Sequence, residues 1–347
     1  MQIQRHFERG TALAVSGCMN TEVRSVHLRR FLVVPALVLA VYFPARPSIL
    51  SWTAHDPVDS LWEDPANLES ANLFGGPWGL DAAPDPTGTF TFLRPKYRGI
   101  DPGVIVSDPS GREWHVKQHA RNRAGIASPV EVVVSRVLSA VGYHQPPVYY
   151  LSSFKMVRRS PKTVESTEAS GRFRLQMSSI RDVGPWSWQR NPFVGTRPHQ
   201  GLLVTLLLLG ATDLKDANNS LYRVSIDGEI EHWYVVRDPG AALGEDPRVA
   251  ARSDDAVARY ERSRFIAGVS DGFVEFANKS SYERLFQRRI TVDDARWAGQ
   301  LLTRLTDRQW HDAFRAGGYA PDVADRFIRK IHSNIKEVQS LGGVEGP

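Results

Sequence analysis

One cysteine in 347 residues is the first limit this sequence sets. Cys18 alone excludes an intrachain disulfide, a cysteine-built zinc site and a paired thiol redox centre. The ten histidines show no HExxH or similar spacing, so a histidine-rich metal site is not expected either. Long apolar runs are scarce. The run from Phe31 to Phe43 has 13 residues and is interrupted by Pro35, short of the roughly 20 a membrane helix needs. Internal repeats and low-complexity tracts are absent, which argues against a solenoid or an array. Charge is not blocked: the net formal charge of +5 is scattered, and a pI near 9.3 reads as an Arg-rich solvated surface. No specific nucleic-acid partner is expected.

What is present is ordinary globular composition, 42% hydrophobic and 23% charged, with room for one large domain or two modest lobes around a cleft. Residues 1–45 form a leader or signal-like segment. His27, Arg29 and Arg30 precede the short apolar run, and Pro44-Ala45-Arg46-Pro47 follows it. That pattern favours export or membrane association, with transient membrane contact through this segment, over the cytoplasmic alternative. Residues 46–88 are rich in Pro, Gly, Asp and Trp and read as an irregular wrapping segment, with Trp52, Trp62 and Trp78 packing onto the main body.

Residues 89–180 read as a β-rich lobe with one helix. Val104 to Ser107 and Glu113 to Lys117 flank the turn sequence Asp108-Pro109-Ser110-Gly111 and form a hairpin. Val130, Val133, Val134, Val137, Leu138 and Val141 recur at helical spacing, entered through Ser128-Pro129 and ended by Gly142. Two further strands follow, with Ser160 to Gly171 expected as a surface loop between them. Residues 181–341 read as a mainly helical lobe. Gly201 to Leu209 is a buried helix, two strands lie at 220–226 and 232–237, and helices dominate from Ala256. Thr291 and Thr306 open two of these with oxygen caps. The fold class is therefore α+β.

Strand alternation puts Lys117 and Val116 on opposite faces, so the lysine can reach a cleft while the valine enters a core. Glu131 lies 14 residues on, in what reads as the first turn of the helix, within reach of a neighbouring strand lysine. Thr212-Asp213-Leu214-Lys215-Asp216-Ala217-Asn218 follows the apolar helix and precedes a strand. Val235-Val236-Arg237-Asp238-Pro239-Gly240 closes the next hairpin. Each segment has an ordinary reading beside it: Asp, Lys and Asn are common in turns, and Asp-Pro-Gly is a strong turn in its own right.

The order distinguishes them. Asp213 to Asn218 resembles the DLKxxN catalytic loop of protein kinases, and the same interval marks HipA-like and phosphoinositide-kinase-related phosphotransferases. The resemblance implies a two-lobed protein-kinase-like fold using ATP and Mg2+. It implies that Lys117, held by Glu131, contacts the nucleotide phosphates, and that Asp213 orients the acceptor hydroxyl. Lys215 would sit near the transferred phosphate, and Asn218 and Asp238 would bind magnesium. The chain departs from the protein-kinase pattern: no GxGxxG precedes Lys117, Ala211-Thr212 stands where His-Arg is usual, Pro239 replaces an aromatic residue, and no APE motif follows. Phosphate cover then falls to Lys96, Arg98 or the hairpin backbone. These departures point to an atypical member. The main expectation is an ATP/Mg-dependent phosphotransferase with a nucleotide and an unidentified acceptor, protein or small molecule, as partners. The alternative is a catalytically inactive kinase-fold binding or scaffold protein of the cell envelope.

Overall fold

The computed structural model describes residues 58–96, 103–118, 127–159, 162–245 and 253–342. All belong to the compact unit 55–347; the unit 1–54, with the leader, Cys18 and Trp52, lies outside the described residues, as does Arg98.

The first strands build a closed barrel. β1 (Val58–Ser60) stands apart from it; β2 (Thr89–Pro95), β3 (Gly103–Ser107), β4 (Glu113–Gln118), β5 (Val148–Arg158) and β6 (Val164–Leu175) join in the order β2-β3-β4-β6-β5, closed by parallel pairing of β2 with β5. The hairpin of β3 and β4 turns where the sequence places it. The Asp108 carboxylate accepts hydrogen bonds from the Ser110 and Arg112 amides, from the Ser110 hydroxyl and from Trp114 Nε1. Alternation along β4 sends Trp114 and Val116 into a core with Phe90, Val106, Met156 and Phe173, every one of them wholly buried. His115 and Lys117 take the opposite face.

α1 (Ala127–Ala140) follows, with Val130, Val133, Val134, Val137 and Leu138 in a second, larger core shared with the helices downstream. Glu131 sits just past the first turn rather than in it. Gly142, at φ +98°, ends the helix in a conformation that side chains rarely adopt, and a Cβ there would meet Trp62 and the Glu63 carbonyl.

The wrapping segment does pack as expected at Trp62, which donates to the Val141 carbonyl at 2.7 Å, and at Trp78, which donates to the Gln145 carbonyl at 2.9 Å. The expected loop at 160–171 is largely strand: β6 begins at Val164 and pairs with β5 from Arg158↔Val164 to Val148↔Arg174. Main-chain pairing holds this ribbon with little apolar burial, which is why no hydrophobic alternation announces it.

β7 (Ile180–Gly184) leads to α2 (Arg197–Leu208), capped by Thr196, whose residues 199–208 are all buried. β8 (Asn219–Ile226) and β9 (Glu229–Val236) form a hairpin through Asp227 and Gly228, both at positive φ. They complete the sheet β1-β9-β8-β7, with β1 parallel to β9. α3 (Ser253–Arg262) precedes a hairpin of β10 (Ile266–Ser270) and β11 (Phe273–Phe276), in a region expected to be helical. α4 (Val292–Thr303), α5 (Asp307–Ala316) and α6 (Pro321–Ser340) finish the chain, the first two opened by complete capping boxes at Thr291 and Thr306. The class is mixed α and β, as expected. Among the described residues no helix is long and apolar enough to cross a membrane.

Candidate functional site

The outer face of β4 meets the buried start of α1. Lys117 forms an ion pair with Glu131 Oε1, its side chain 12% exposed and that of Glu131 2%. The same carboxylate accepts from Arg172 Nε on β6 at 2.8 Å through Oε2. Register explains the convergence: His115 pairs with Arg174 and Lys117 with Arg172 across β4 and β6, so four basic side chains leave the barrel on one side.

Asp238, just past β9, lies against this group. Arg174 donates to its Oδ1 at 3.2 Å and to the Arg237 carbonyl at 2.8 Å, and Arg172 comes within 3.7 Å. Burial works against ionising Asp238, but the charges of Arg174, Arg172, Lys117 and Arg237 outweigh it and hold the carboxyl well below its ordinary range. Lys96, at the end of β2, is pushed down to about 8, first by burial and then by repulsion from Arg172, Arg174 and Lys117 against the pull of Asp238. His115 is pushed down to about 4 by burial, then by Arg174, and is neutral at pH 7.

The loop from Thr212 to Asn218 lies alongside. Thr212 donates its amide to the Ala241 carbonyl, and the Asn218 carbonyl accepts from the amides of both Arg237 and Asp238, at 2.9 and 3.0 Å. Asn218 Nδ2 donates to the Asp213 carbonyl at 2.7 Å. The Asp213 carboxylate takes Lys215 Nζ at 2.5 Å on one oxygen and the Tyr282 hydroxyl at 3.1 Å on the other. Burial raises the Asp213 pKa, yet the bonds from Lys215, Asn218 and Tyr282 leave it lowered. Asp213, Asn218 and Asp238 line one small recess with Trp188, Leu214 and Pro239.

All six residues singled out in the sequence thus fall in two adjoining groups, Lys117 with Glu131, and Asp213, Lys215, Asn218 with Asp238. Arg172, at 2.8 Å from Glu131 and 3.7 Å from Asp238, joins them. Three participants were not anticipated. Arg172 and Arg174 read only as the start of a strand; their spacing of two, which puts both on one face, was the available signal. Tyr282 reaches Asp213 across 69 residues with no local pattern to mark it.

The donor set suits a hard cation of the magnesium kind. Asp238, its carboxyl held ionised, and Asn218 line one recess, and magnesium takes one or two protein oxygens and completes its shell with phosphate and water. Among the described residues no group of three or more His, Cys, Asp or Glu is arranged to hold a metal by itself.

Solved structures similar to this chain include the proinflammatory kinase CtkA of Helicobacter pylori, at 13% identity over 74% of this chain and 99% of that one, with a TM-score of 0.35. The Golgi casein kinase with Mn/ADP bound is 10% identical over 75% of this chain and 74% of that one, at 0.32. The HipA of the Shewanella oneidensis toxin–antitoxin system is 9% identical over 72% and 68%, at 0.25. At these identities and TM-scores the likeness is remote. No family model and no curated protein matches the chain.

Proposed function

We propose that this chain is an ATP- and magnesium-dependent phosphotransferase of atypical kinase-like, two-lobed build, with the barrel as the small lobe and the helices as the large one. The observation that carries the reading is the meeting of the Lys117–Glu131 pair with Asp238, alongside Asp213 and Asn218. Phosphoryl transfer asks little covalent chemistry of a protein; it asks for position and charge. Lys117, steadied by Glu131, contributes a fixed ammonium toward a phosphate. Asn218 and Asp238 hold magnesium, which screens phosphate charge. Asp213, ionised at neutral pH, accepts or orients the proton of an acceptor hydroxyl. Lys215, bonded to Asp213, adds positive charge where the transferred group gains negative charge. The acceptor is a hydroxyl-bearing protein or small molecule.

Thermal-shift titration with ATP, with and without magnesium, on the wild type and on Asp238→Ala tests this. Magnesium-dependent stabilisation that disappears in the variant is expected; no stabilisation by any nucleotide sinks the proposal. One observation favours a second reading, a kinase-fold binding protein without turnover: Asp238 Oδ1 is already engaged by Arg174. Nucleotide binding without phosphotransfer to any acceptor would select it.

A further inference from the structure

Basic side chains crowd around Asp238. Lys96, Lys117, Arg172 and Arg174 gather about the carboxylates of Glu131 and Asp238. Arg237, the next cation, has its own carboxylate in Asp182 at 2.5 Å. A buried donor left without an acceptor is costly unless an anion supplies one. Arg174 carries such a donor. It is buried, its hydrogen bonds to described residues all leave from Nη2, and its Nε, out of contact with solvent, has no hydrogen-bond partner among them. A guanidinium carries five donors in a planar fork suited to phosphate.

The members differ in access. Arg172 has a side chain only 1% exposed and lies between Glu131, at 2.8 Å, and Asp238, at 3.7 Å. Arg174 and Lys117, at 10% and 12%, lie nearer the opening, where Asp238 is 27% exposed. Lys96, just past β2, donates its amide to the carbonyl of Gly103, the residue that pairs with Lys117 across β3 and β4.

We propose that Arg174 and Lys96, together with Lys117, bind the phosphate chain of a polyphosphate anion directly. Side chains of the barrel wall then do the work that a glycine-rich loop's amides do elsewhere, and part of the binding needs no cation. This rests on the reading of the cleft as a phosphate site. A nucleoside triphosphate and free polyphosphate share the chemistry that the three side chains recognise.

Calorimetric titration of the full chain in EDTA separates these, with inorganic tripolyphosphate in one arm and ATP in the other. Tripolyphosphate is expected to bind the wild type without divalent metal, to bind Arg174→Met at least tenfold more weakly, and to recover in part with Arg174→Lys. Arg308→Ala, which removes a 91% exposed arginine of α5, is expected to change nothing. Binding should also weaken as salt is raised. ATP binding several-fold tighter than tripolyphosphate identifies a nucleotide as the ligand; equal binding identifies the phosphate chain alone. Should Arg174→Met fail to fold, Lys96→Met carries the same expectation of a tenfold loss.

Absence of tripolyphosphate binding in EDTA, or binding untouched by these substitutions, overturns the inference. If magnesium–ATP still stabilises the wild type and not Asp238→Ala, the phosphotransferase reading survives that failure. The reverse pattern, metal-free binding lost in Arg174→Met with no response to magnesium–ATP, upholds the inference and sinks the phosphotransferase.

Discussion

Arg172 donates from Nε to Glu131 Oε2 at 2.8 Å, and both side chains are almost wholly out of solvent. Lys117 holds the other oxygen, so one carboxylate serves two cations. Removing it takes from both the carboxylate they share in a buried setting. Glu131→Ala should therefore destabilise the fold by about 3–5 kcal/mol, read from urea unfolding midpoints at neutral pH. A midpoint within experimental error of the wild type would show that the carboxylate is not needed to hold the pair.

Asp213 is exposed enough to meet an acceptor and takes no part in either hydrophobic core. On the proposed reading, Asp213→Asn should lower phosphotransfer by about 10²–10⁴-fold with little change in thermal midpoint. Retained activity would remove Asp213 from the chemistry.

Tyr282 gives a finer test of the same group. Its hydroxyl is one of the bonds that hold the Asp213 carboxyl down. Tyr282→Phe should let that pKa rise, so the acid limb of the pH–rate profile moves to higher pH while the alkaline limb stays. An unmoved acid limb would mean that another group controls it.

Asp108 connects the hairpin turn to acid stability. Burial raises its pKa, but bonds from Ser110, Trp114 and Arg112 prevail and hold it at about 2, against 3.8 ordinarily. The folded value lies below the unfolded one, so the contribution is complete above about pH 4 and disappears as pH falls through about 2. The difference corresponds to about 2 kcal/mol. Asp108→Asn should cost that much at pH 7 and progressively less between pH 4 and 2, checked by urea unfolding at several pH values. A constant gap would assign the loss to geometry rather than charge.

Gln309 ties the wrapping segment down: Nε2 donates to the carbonyls of Leu68, Glu69 and Ala71, while Oε1 accepts from the Thr306 amide. Gln309→Leu should cost about 1–3 kcal/mol through the bonds left unmade and speed proteolysis near residue 70. Unchanged cleavage would show that Trp62 and Trp78 suffice.

The elements legible in the sequence are those with a local physical signature. The valines of α1 repeat with the helix period, Thr291 and Thr306 carry their caps three residues from an acid or amide, and Asp108 writes its own turn. The Lys117–Glu131 pair was readable because a strand period and a helix period fix where each side chain points. Arg172 and Arg174 escaped because their meaning lies in register with β4, a pairing across some 57 positions that no local window contains. The polar ribbon 164–171 escaped because main-chain pairing holds it, and the β10–β11 hairpin because its strands are four or five residues long. Tyr282 at Asp213 is a tertiary contact only.

The Asn218 carbonyl accepts the amides of Arg237 and Asp238, and its side chain grips the Asp213 carbonyl. The oxygen-rich half of the cleft is thus drawn by main-chain atoms on a single template, whereas the cationic half reaches it through side chains alone. On the proposed reading, substitutions on the barrel wall would rewrite what the cleft attracts while the spacing from Asp213 to Asp238 stays as it is. Selectivity for the anion and geometry for the transfer would then be separate modules, each open to change without redrafting the other.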